Sequence, residues 1–140
     1  MSTSLDTNVL VALWDADDAL HRAARAALDQ ALVRGALVIS GVVYAELLAA
    51  PGRDERFLNQ FREDTGIQVE WEFGEAIWRA AGEAFRGYTA RRRKQGGSAP
   101  RQILTDFLIG AHAFVKGHRL LTLDKKHYRA AFPKLELVEV

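Results

Sequence analysis

The sequence contains no cysteine, and this absence excludes several kinds of chemistry at once. Disulfide bonds, thiolate zinc sites and cysteine nucleophiles cannot form without it. The N-terminal residues also lack the basic start and apolar stretch of a signal peptide, and no apolar run approaches the roughly 20 residues that a membrane-spanning helix needs. We therefore expect a soluble protein of the cytoplasm, where disulfides are rare.

The sequence also contains few prolines and carries almost no net charge. The three prolines, Pro51, Pro100 and Pro133, fall where helical periodicity breaks, so they separate elements and not domains. Nineteen basic and eighteen acidic residues give a net charge of +1, which by itself does not indicate nucleic-acid binding. The 140 residues, of which 49% are hydrophobic, contain no repeat, so we expect one domain over residues 1–140.

Short apolar runs alternate along the chain with stretches of helical periodicity. The apolar residues between Ile77 and Tyr88 recur at helical spacing and predict a long helix, and a further helix is expected over residues 105–116. Alternating strands and helices predict an α/β fold, an open α/β/α sandwich around a central, mainly parallel sheet of about five strands. Ligands of such sheets bind beyond the carboxyl ends of the strands. Strands are expected within residues 2–5, 37–39, 67–71, 119–122 and 135–140.

Asp6 and Glu46 are acidic residues whose positions allow more than one interpretation. Asp6 closes the first short segment and precedes a helix, so its carboxylate either caps that helix or binds a ligand. Glu46 lies in an apolar helical stretch, and no residue three or four positions away is basic. Because an unpaired buried charge is costly, Glu46 either finds a partner on another element or stays in water at the surface.

Asp106 and Asp124 pose the same question. Asp106 has no basic helical neighbour, and the alternative to a ligand role is an acid that stabilises the first turn of its helix. Asp124 follows a predicted strand, and its alternative is a surface turn. If the sheet brings all four acids together they repel one another, and bound cations relieve that repulsion. Ligation by oxygen alone selects a hard ion such as Mg²⁺ or Mn²⁺ over Zn²⁺.

The histidines and tryptophans are assigned no direct chemistry. With no HxxxH pair and no cysteine, a zinc site is not expected. His112 is interpreted as a helix-packing residue or as a hydrogen-bond donor to a metal-binding carboxylate. The tryptophans are expected in the core rather than at a surface that stacks on bases. The residues concerned are His21, His112, His118, His127, Trp14, Trp71 and Trp78.

Four segments, taken in order, resemble the PIN-domain family. They are residues 5–10 (LDTNVL), 43–47 (VYAEL), 105–113 (TDFLIGAHA) and 121–124 (LTLD). One such segment alone is weak evidence, whereas four in order across essentially the whole chain form a specific signal. The resemblance implies a metal-dependent ribonuclease with Mg²⁺ or Mn²⁺ as its cofactor. It implies catalytic, metal-binding roles for Asp6, Glu46, Asp106 and Asp124, with Thr7 and Asn8 as supporting polar residues.

Small stand-alone domains of this length look most like toxins of the VapC type. That resemblance implies a homodimer and a small antitoxin whose C-terminal arm occupies the acidic groove. It also implies cleavage of tRNA, ribosomal RNA or messenger RNA that leaves a 5′-phosphate and a 3′-hydroxyl. A PIN-domain protein of RNA maturation and a non-catalytic RNA-binding module remain alternatives. A haloacid-dehalogenase-like phosphatase is disfavoured because it needs an aspartate at the position of Asn8, and a receiver module because Asp6 stands alone after the first strand.

Basic residues cluster toward the end of the predicted long helix. A metal-rich acidic pocket needs cationic neighbours to hold the flanking RNA backbone, and this run can supply them. The alternative is that the same cations stabilise the carboxyl end of the helix. Residues 96–100 beyond it are expected to form either a mobile loop over the site or a simple connection. The candidate RNA-binding residues are Arg86, Arg91, Arg92, Arg93 and Lys94.

Overall fold

A computed structural model describes residues 1–96, 104–138 and 140 of the chain. Strands and helices alternate there as the sequence predicts. Residues 97–103, which include most of the expected loop at 96–100, lie outside the described part. The elements in chain order are β1 Thr3–Leu5, α1 Thr7–Trp14, α2 His21–Arg34, β2 Leu37–Ser40, α3 Gly41–Leu48, α4 Glu55–Thr65, β3 Gln68–Glu70, α5 Gly74–Lys94, α6 Leu104–Lys116, β4 Arg119–Leu121, α7 Lys125–Ala131 and β5 Leu137–Val138.

The strands of the described residues form one parallel sheet in the order β3-β2-β1-β4-β5. Ser4 of β1 is paired with Val38 of β2 on one side and with Leu120 of β4 on the other. The chain builds outward from β1 to β3 and then crosses back to β4 on the opposite side of β1. The expected open α/β sheet is confirmed. Its crossing-back point lies at the carboxyl ends of β1 and β4, where ligands of such sheets bind.

Helix α6 is the central helix of the core. Residues 107–113 are buried without interruption, and the helix contacts α5, α3 and β4. A Cβ added to Gly110 would stand 2.5 Å from Phe132 and 3.1 Å from Tyr128. The missing side chain therefore lets the α7 segment approach α6, and it brings the acid that precedes α7, Asp124, toward the acid on α6, Asp106.

The sequence predicts that the three tryptophans lie in the core, and one of them packs against it. Trp14 packs edge-on against Phe57 and Phe61, with ring centroids 5.0 and 5.2 Å away. Trp71 and Trp78 are instead 58% and 56% exposed. The expectation was wrong for these two because Trp71 follows the edge strand β3 and Trp78 lies on the outer side of α5.

Two strands of the sheet are short. Among the described residues, β5 pairs with β4 at Leu137 and Val138, although the sequence predicts a strand over residues 135–140. β1 has three residues, and its polar members Thr3 and Ser4 are buried despite their hydroxyls. In the described part of the chain, no helix has both the length and the apolar content that crossing a membrane requires.

Candidate active site

Three of the four predicted acids stand where a strand gives way to a helix or a helix begins. Asp6 directly follows β1 and is the N-cap of α1, with its Oδ1 accepting a 2.8 Å hydrogen bond from the Thr7 backbone N–H. Asp124 precedes α7, and Asp106 lies in the first turn of α6. Glu46 comes from within α3, which begins directly after β2. The parallel topology thus delivers all four from separate elements to one end of the sheet.

The four carboxylates meet in a single cavity of about 360 Å³. The supporting residues predicted from the sequence also line it. Among the described residues no lysine, arginine or histidine lines the cavity. His127 Nε2 lies outside this lining, 3.9 Å from Asp106 Oδ2, and burial lowers the pKa of its imidazole, so it supplies little positive charge to balance the acids at neutral pH. The lining residues are Asp6, Thr7, Asn8, Val11, Glu46, Asp106, Asp124 and Tyr128.

Two threonine hydroxyls orient the carboxylates. Thr122 Oγ1 donates to Asp6 Oδ2 at 2.7 Å, and Thr7 Oγ1 donates to Glu46 Oε1 at 2.6 Å. Thr122 Oγ1 also accepts the Asp124 backbone N–H at 3.0 Å, so one buried hydroxyl joins two of the acids. Sequence analysis missed Thr122. The signal for it was a polar residue at the carboxyl end of an otherwise apolar strand, two residues before a candidate acid.

Asn8 supports the same region from the other side. Its side-chain Oδ1 accepts a 3.2 Å hydrogen bond from the Leu123 backbone N–H. This contact ties the start of α1 to the segment that leaves β4. Asn8 therefore links the segments that carry Asp6 and Asp124, and its supporting role in the site stays a prediction.

Burial and mutual repulsion make two of these acids hard to ionise. Burial raises the pKa of Asp6, and the hydrogen bond from Thr122 only partly offsets it. For Asp106, burial together with the negative charges of Asp6, Glu46 and Asp124 raises the pKa from 3.8 to about 6. A divalent cation is the natural counter-charge, since it removes the repulsion and the cost of burying the charges together.

Tyr128 is a lining residue that sequence analysis did not single out. Its side chain is buried, and its hydroxyl interacts with the Asp6 carboxylate without reaching the geometry of a regular hydrogen bond. Burial, followed by the negative charges of Asp6 and Asp106, raises the pKa of this phenol. Tyr128 therefore stays protonated and presents an O–H donor to whatever occupies the cavity.

The donor set fits a hard metal ion. Carboxylate oxygens from four elements, with a threonine and an asparagine beside them, are the ligands that Mg²⁺ and Mn²⁺ prefer. No thiolate exists in the chain, and no imidazole lines this cavity in its described part. These residues can hold one or two divalent ions without a nucleophilic side chain of their own.

A second, larger groove adjoins the acidic cavity. It has a volume of about 520 Å³ and shares Asp124 with the cavity, so the two lie next to each other at that residue. Arg91 and Arg92 line it, whereas Arg86, Arg93 and Lys94 of the predicted basic set are exposed elsewhere on α5. The described lining residues are Tyr88, Arg91, Arg92, Gln95, Asp124, Lys126, His127, Ala130 and Ala131.

Solved structures share this fold at low sequence identity. VapBC2 from Rickettsia felis, bound to a DNA fragment from its promoter, is 20% identical with a TM-score of 0.69, covering 100% of this chain and 99% of that chain. VapBC-1 from nontypeable Haemophilus influenzae is 20% identical with a TM-score of 0.66, covering 99% and 98%. DNA-bound VapBC from Salmonella typhimurium is 17% identical with a TM-score of 0.65, also covering 99% and 98%.

Family membership comes from the sequence itself. No curated protein is similar enough in sequence to match the chain. The PIN domain profile, in contrast, matches residues 4–133, and this span contains all four clustered acids. The fold and the four segments that first suggested the resemblance agree with that match. The chain therefore belongs to the PIN-domain family.

Proposed function

We propose that this protein is a metal-dependent endoribonuclease that hydrolyses RNA phosphodiester bonds with Mg²⁺ or Mn²⁺ in the acidic cavity. The observation that carries this proposal is the meeting of Asp6, Glu46, Asp106 and Asp124 in one cavity that no basic side chain lines among the described residues. A site built only from acids cannot attract a phosphate by itself. It becomes a phosphate-binding site once divalent cations have reversed its charge.

Each residue has a distinct task in this mechanism. Divalent ions bound here supply an activated water and neutralise charge on the phosphate in the transition state. Asp6 and Asp106 hold the principal ion, and Asp124 serves a second or water-bridged position. Glu46, fixed by Thr7, binds the ion or orients the attacking water. Fixed carboxylates matter because catalytic groups must already be in position when charge develops.

The adjoining groove gives the RNA backbone a path to the cavity. Arg91, Arg92 and Lys126 line the groove, and their cationic side chains are suited to the phosphates that flank the cut. The groove and the cavity share Asp124, and this neighbourhood supports a path in which a strand held by these residues reaches the acidic site. We expect products with a 5′-phosphate and a 3′-hydroxyl.

We further propose that the enzyme is the toxin of a VapBC-type toxin–antitoxin pair in the cytoplasm. The support is the full-length likeness to chains from VapBC complexes, with both partners in each comparison covered by at least 98%. In this proposal the chain forms a homodimer and binds a small antitoxin. The RNA target is tRNA, ribosomal RNA or messenger RNA. Action in RNA maturation, or RNA binding without cleavage, is the alternative.

Cleavage of purified tRNA and ribosomal RNA tests the proposal. The full chain is incubated with each RNA in Mg²⁺ or Mn²⁺, beside Asp6→Asn, Asp106→Asn and the control Asp64→Asn. Asp64 lies exposed on α4 and only accepts a hydrogen bond from Gln60, so its variant should cut as wild type does. Cuts lost in the two cavity variants alone support the enzyme. Equal cutting by all four proteins would reveal a contaminating nuclease and contradict the proposal.

A further inference from the structure

A glutamate and two histidines meet outside the acidic cavity. Glu70 Oε1 lies 2.8 Å from His112 Nε2 and 2.7 Å from His118 Nε2. The three candidate ligand atoms all lie within 4.8 Å of one another. None of these residues lines the acidic cavity in the described part of the chain, so the cluster is a separate feature. No spacing of residues along the chain predicts this cluster, because the three residues come together only through the fold.

Three different elements supply the cluster. Glu70 ends β3, His112 lies in α6, and His118 stands between α6 and β4. His112 is fully buried, His118 is 11% exposed and the Glu70 side chain is 32% exposed. The Phe73 ring stacks on the His112 imidazole at a centroid distance of 5.6 Å and an angle of 17°, which fixes the direction of the ring. The cluster is thus rigid on its inner side and open to water at Glu70.

The protonation states suit metal ligation. Burial lowers the pKa of His112, and the hydrogen bond to Glu70 does not cancel this effect, so the imidazole is neutral at pH 7. Burial alone would raise the pKa of Glu70, but hydrogen bonds from His118 and His112 outweigh it and hold the pKa below its ordinary value. A neutral imidazole and an ionised carboxylate are the forms that bind metals.

We propose that Glu70, His112 and His118 form a binding site for Zn²⁺, separate from the Mg²⁺ or Mn²⁺ site of the acidic cavity. Two imidazole nitrogens and one carboxylate oxygen favour a borderline ion such as Zn²⁺ over Mg²⁺. Three protein ligands with an open side leave a fourth, tetrahedral position for water. Because the ligands come from β3, from α6 and from the turn between α6 and β4, a bound ion would tie β3 to α6 and to the residues that lead into β4.

The required adjustment is small. In a tetrahedral site with bonds of about 2.1 Å, neighbouring ligand atoms stand about 3.4 Å apart. Glu70 Oε1 now lies nearer than that to both nitrogens, so the carboxylate has to swing outward by less than about 1 Å, toward its exposed side. The glutamate is the most exposed of the three side chains and is free to make this movement. The two histidine nitrogens lie within 4.8 Å of each other and must also reach a separation of about 3.4 Å.

One contact limits the affinity. Without metal, both histidines donate their Nε2–H to the same Glu70 oxygen, so ligation through Nε2 moves each ring proton to Nδ1. The His112 Nδ1 is buried without a hydrogen-bond partner among the described residues. Ligation therefore creates one unpaired buried N–H, and we expect weaker binding than in a zinc site whose outer ring nitrogens are all hydrogen-bonded.

Co²⁺ is the probe for the test, because its visible absorption is strong in four-coordinate sites with nitrogen ligands and weak in six-coordinate oxygen sites. The full chain is titrated with Co²⁺ in excess Mg²⁺, which occupies the acidic cavity, and Zn²⁺ is then added. We expect one equivalent of strongly absorbing Co²⁺ that Zn²⁺ displaces. His118→Gln and Glu70→Gln should each weaken binding at least about tenfold. The controls His127→Gln and Asp6→Asn should leave the spectrum unchanged.

Two results would overturn the proposal. One is the absence of strong absorption in folded wild-type protein, which would make the cluster a hydrogen-bonded pair of histidines on a glutamate and nothing more. The other is a signal that both the His118 and Glu70 variants retain. Thermal unfolding gives a second readout, since Zn²⁺ should raise the Tm of wild type and of His127→Gln but not of His118→Gln. Glu70→Gln keeps the test valid if the histidine variant does not fold.

Discussion

At the scale of single residues, the acidic cavity places like charges close together at some cost to stability. Asp106 shows this most clearly, because burial and three neighbouring carboxylates raise its pKa from 3.8 to about 6. Its native form holds a proton more tightly than the unfolded chain does. This tighter binding of the proton stabilises the native state. The stabilisation is fully present below pH 3.8 and is lost as the pH rises through 6.

The first prediction concerns metal-free protein. In EDTA, the free energy of unfolding of wild type relative to Asp106→Asn should fall as the pH rises from about 4 to about 7. Because the Asp106 side chain is 37% exposed, solvent screens these charges. We therefore expect the free energy of unfolding of the variant, relative to that of wild type, to increase by only about 1 kcal/mol over this pH range. Urea unfolding at several pH values measures the difference. A difference that does not change with pH would contradict the raised pKa of Asp106.

The second prediction concerns Thr122, whose hydroxyl joins Asp6 and Asp124. Thr122→Val keeps the shape of the side chain but removes the bond to Asp6 Oδ2, so the carboxylate is no longer fixed. We expect Mn²⁺ affinity and RNA cleavage to fall by about 10- to 100-fold. Thr122→Ser retains the hydroxyl and should stay within a few-fold of wild type. If the valine and serine variants were equally active, the hydroxyl would have no positioning role.

At the scale of elements, the sequence predicts most of the architecture because its signals are local. Helical spacing marks α6, and short apolar runs mark β2 and β4, each within one residue of its observed ends. The apolar stripe from Ile77 to Tyr88 marks α5, which begins three residues earlier and ends six residues later. The four acids could be predicted to converge because parallel strands end at one edge of the sheet. Which hydroxyl orients which acid could not be predicted, since Thr7 reaches Glu46 across 39 residues of sequence and Thr122 reaches Asp6 across 116.

Contacts between distant segments explain what was missed. Glu70 meets His112 and His118 across separations of 42 and 48 residues, and no spacing rule covers them. The exposure of Trp71 also depends on tertiary structure, because it follows from the place of β3 at the edge of the sheet. Local pattern thus predicts which elements form, whereas pairing between elements decides which side chains meet.

The third prediction tests the packing of α7 on α6. A Cβ at position 110 would stand 2.5 Å from Phe132, so Gly110→Ala forces that ring to move. We expect a loss of about 1–3 kcal/mol from overpacking, which exceeds the gain of up to about 1 kcal/mol from the better helix propensity of alanine. Because α7 follows Asp124, RNA cleavage should fall as well.

A matched glycine on α5 provides the control for this packing prediction. In the described part of the chain, no atom outside the helix's own backbone lies within 4 Å of a Cβ added at Gly82, so Gly82→Ala should raise the Tm through helix propensity alone. In thermal unfolding, we expect the Tm of Gly110→Ala to lie below that of wild type and the Tm of Gly82→Ala to lie above it. If Gly110→Ala were also stabilising, α7 would not be packed against α6 as the structure shows.

At the scale of the whole molecule, charge is arranged locally rather than overall. The net charge of the chain is +1, yet an acidic cavity and a groove lined by arginine and lysine lie side by side. This pairing suits a substrate whose scissile phosphate meets bound metal while flanking phosphates meet basic residues. A uniformly basic surface would bind RNA equally well at many places and would not direct one phosphate into the cavity.

The fourth prediction separates the groove from the rest of the basic helix. Arg91 lines the groove and Arg93 does not, although both are exposed on α5. Arg91→Ala should weaken RNA binding and reduce the slope of log affinity against log salt by about one. Arg93→Ala should do neither. Binding is measured by fluorescence anisotropy with uncleaved RNA in Ca²⁺. Equal effects of the two variants would show that the groove has no specific role in RNA binding.

If the acidic cavity binds the metal that cleaves RNA, metal binding and RNA cleavage must change together. We would therefore measure these two quantities on the same samples. Bound Mn²⁺ is counted by electron paramagnetic resonance while single-turnover cleavage is followed, for EDTA-treated wild type, Asp6→Asn and Asp64→Asn. We expect bound Mn²⁺ and the rate of RNA cleavage to rise together in wild type and Asp64→Asn. Both should be lost in Asp6→Asn. Cleavage by Asp6→Asn at the wild-type rate, or cleavage in wild type without bound metal, would contradict this expectation.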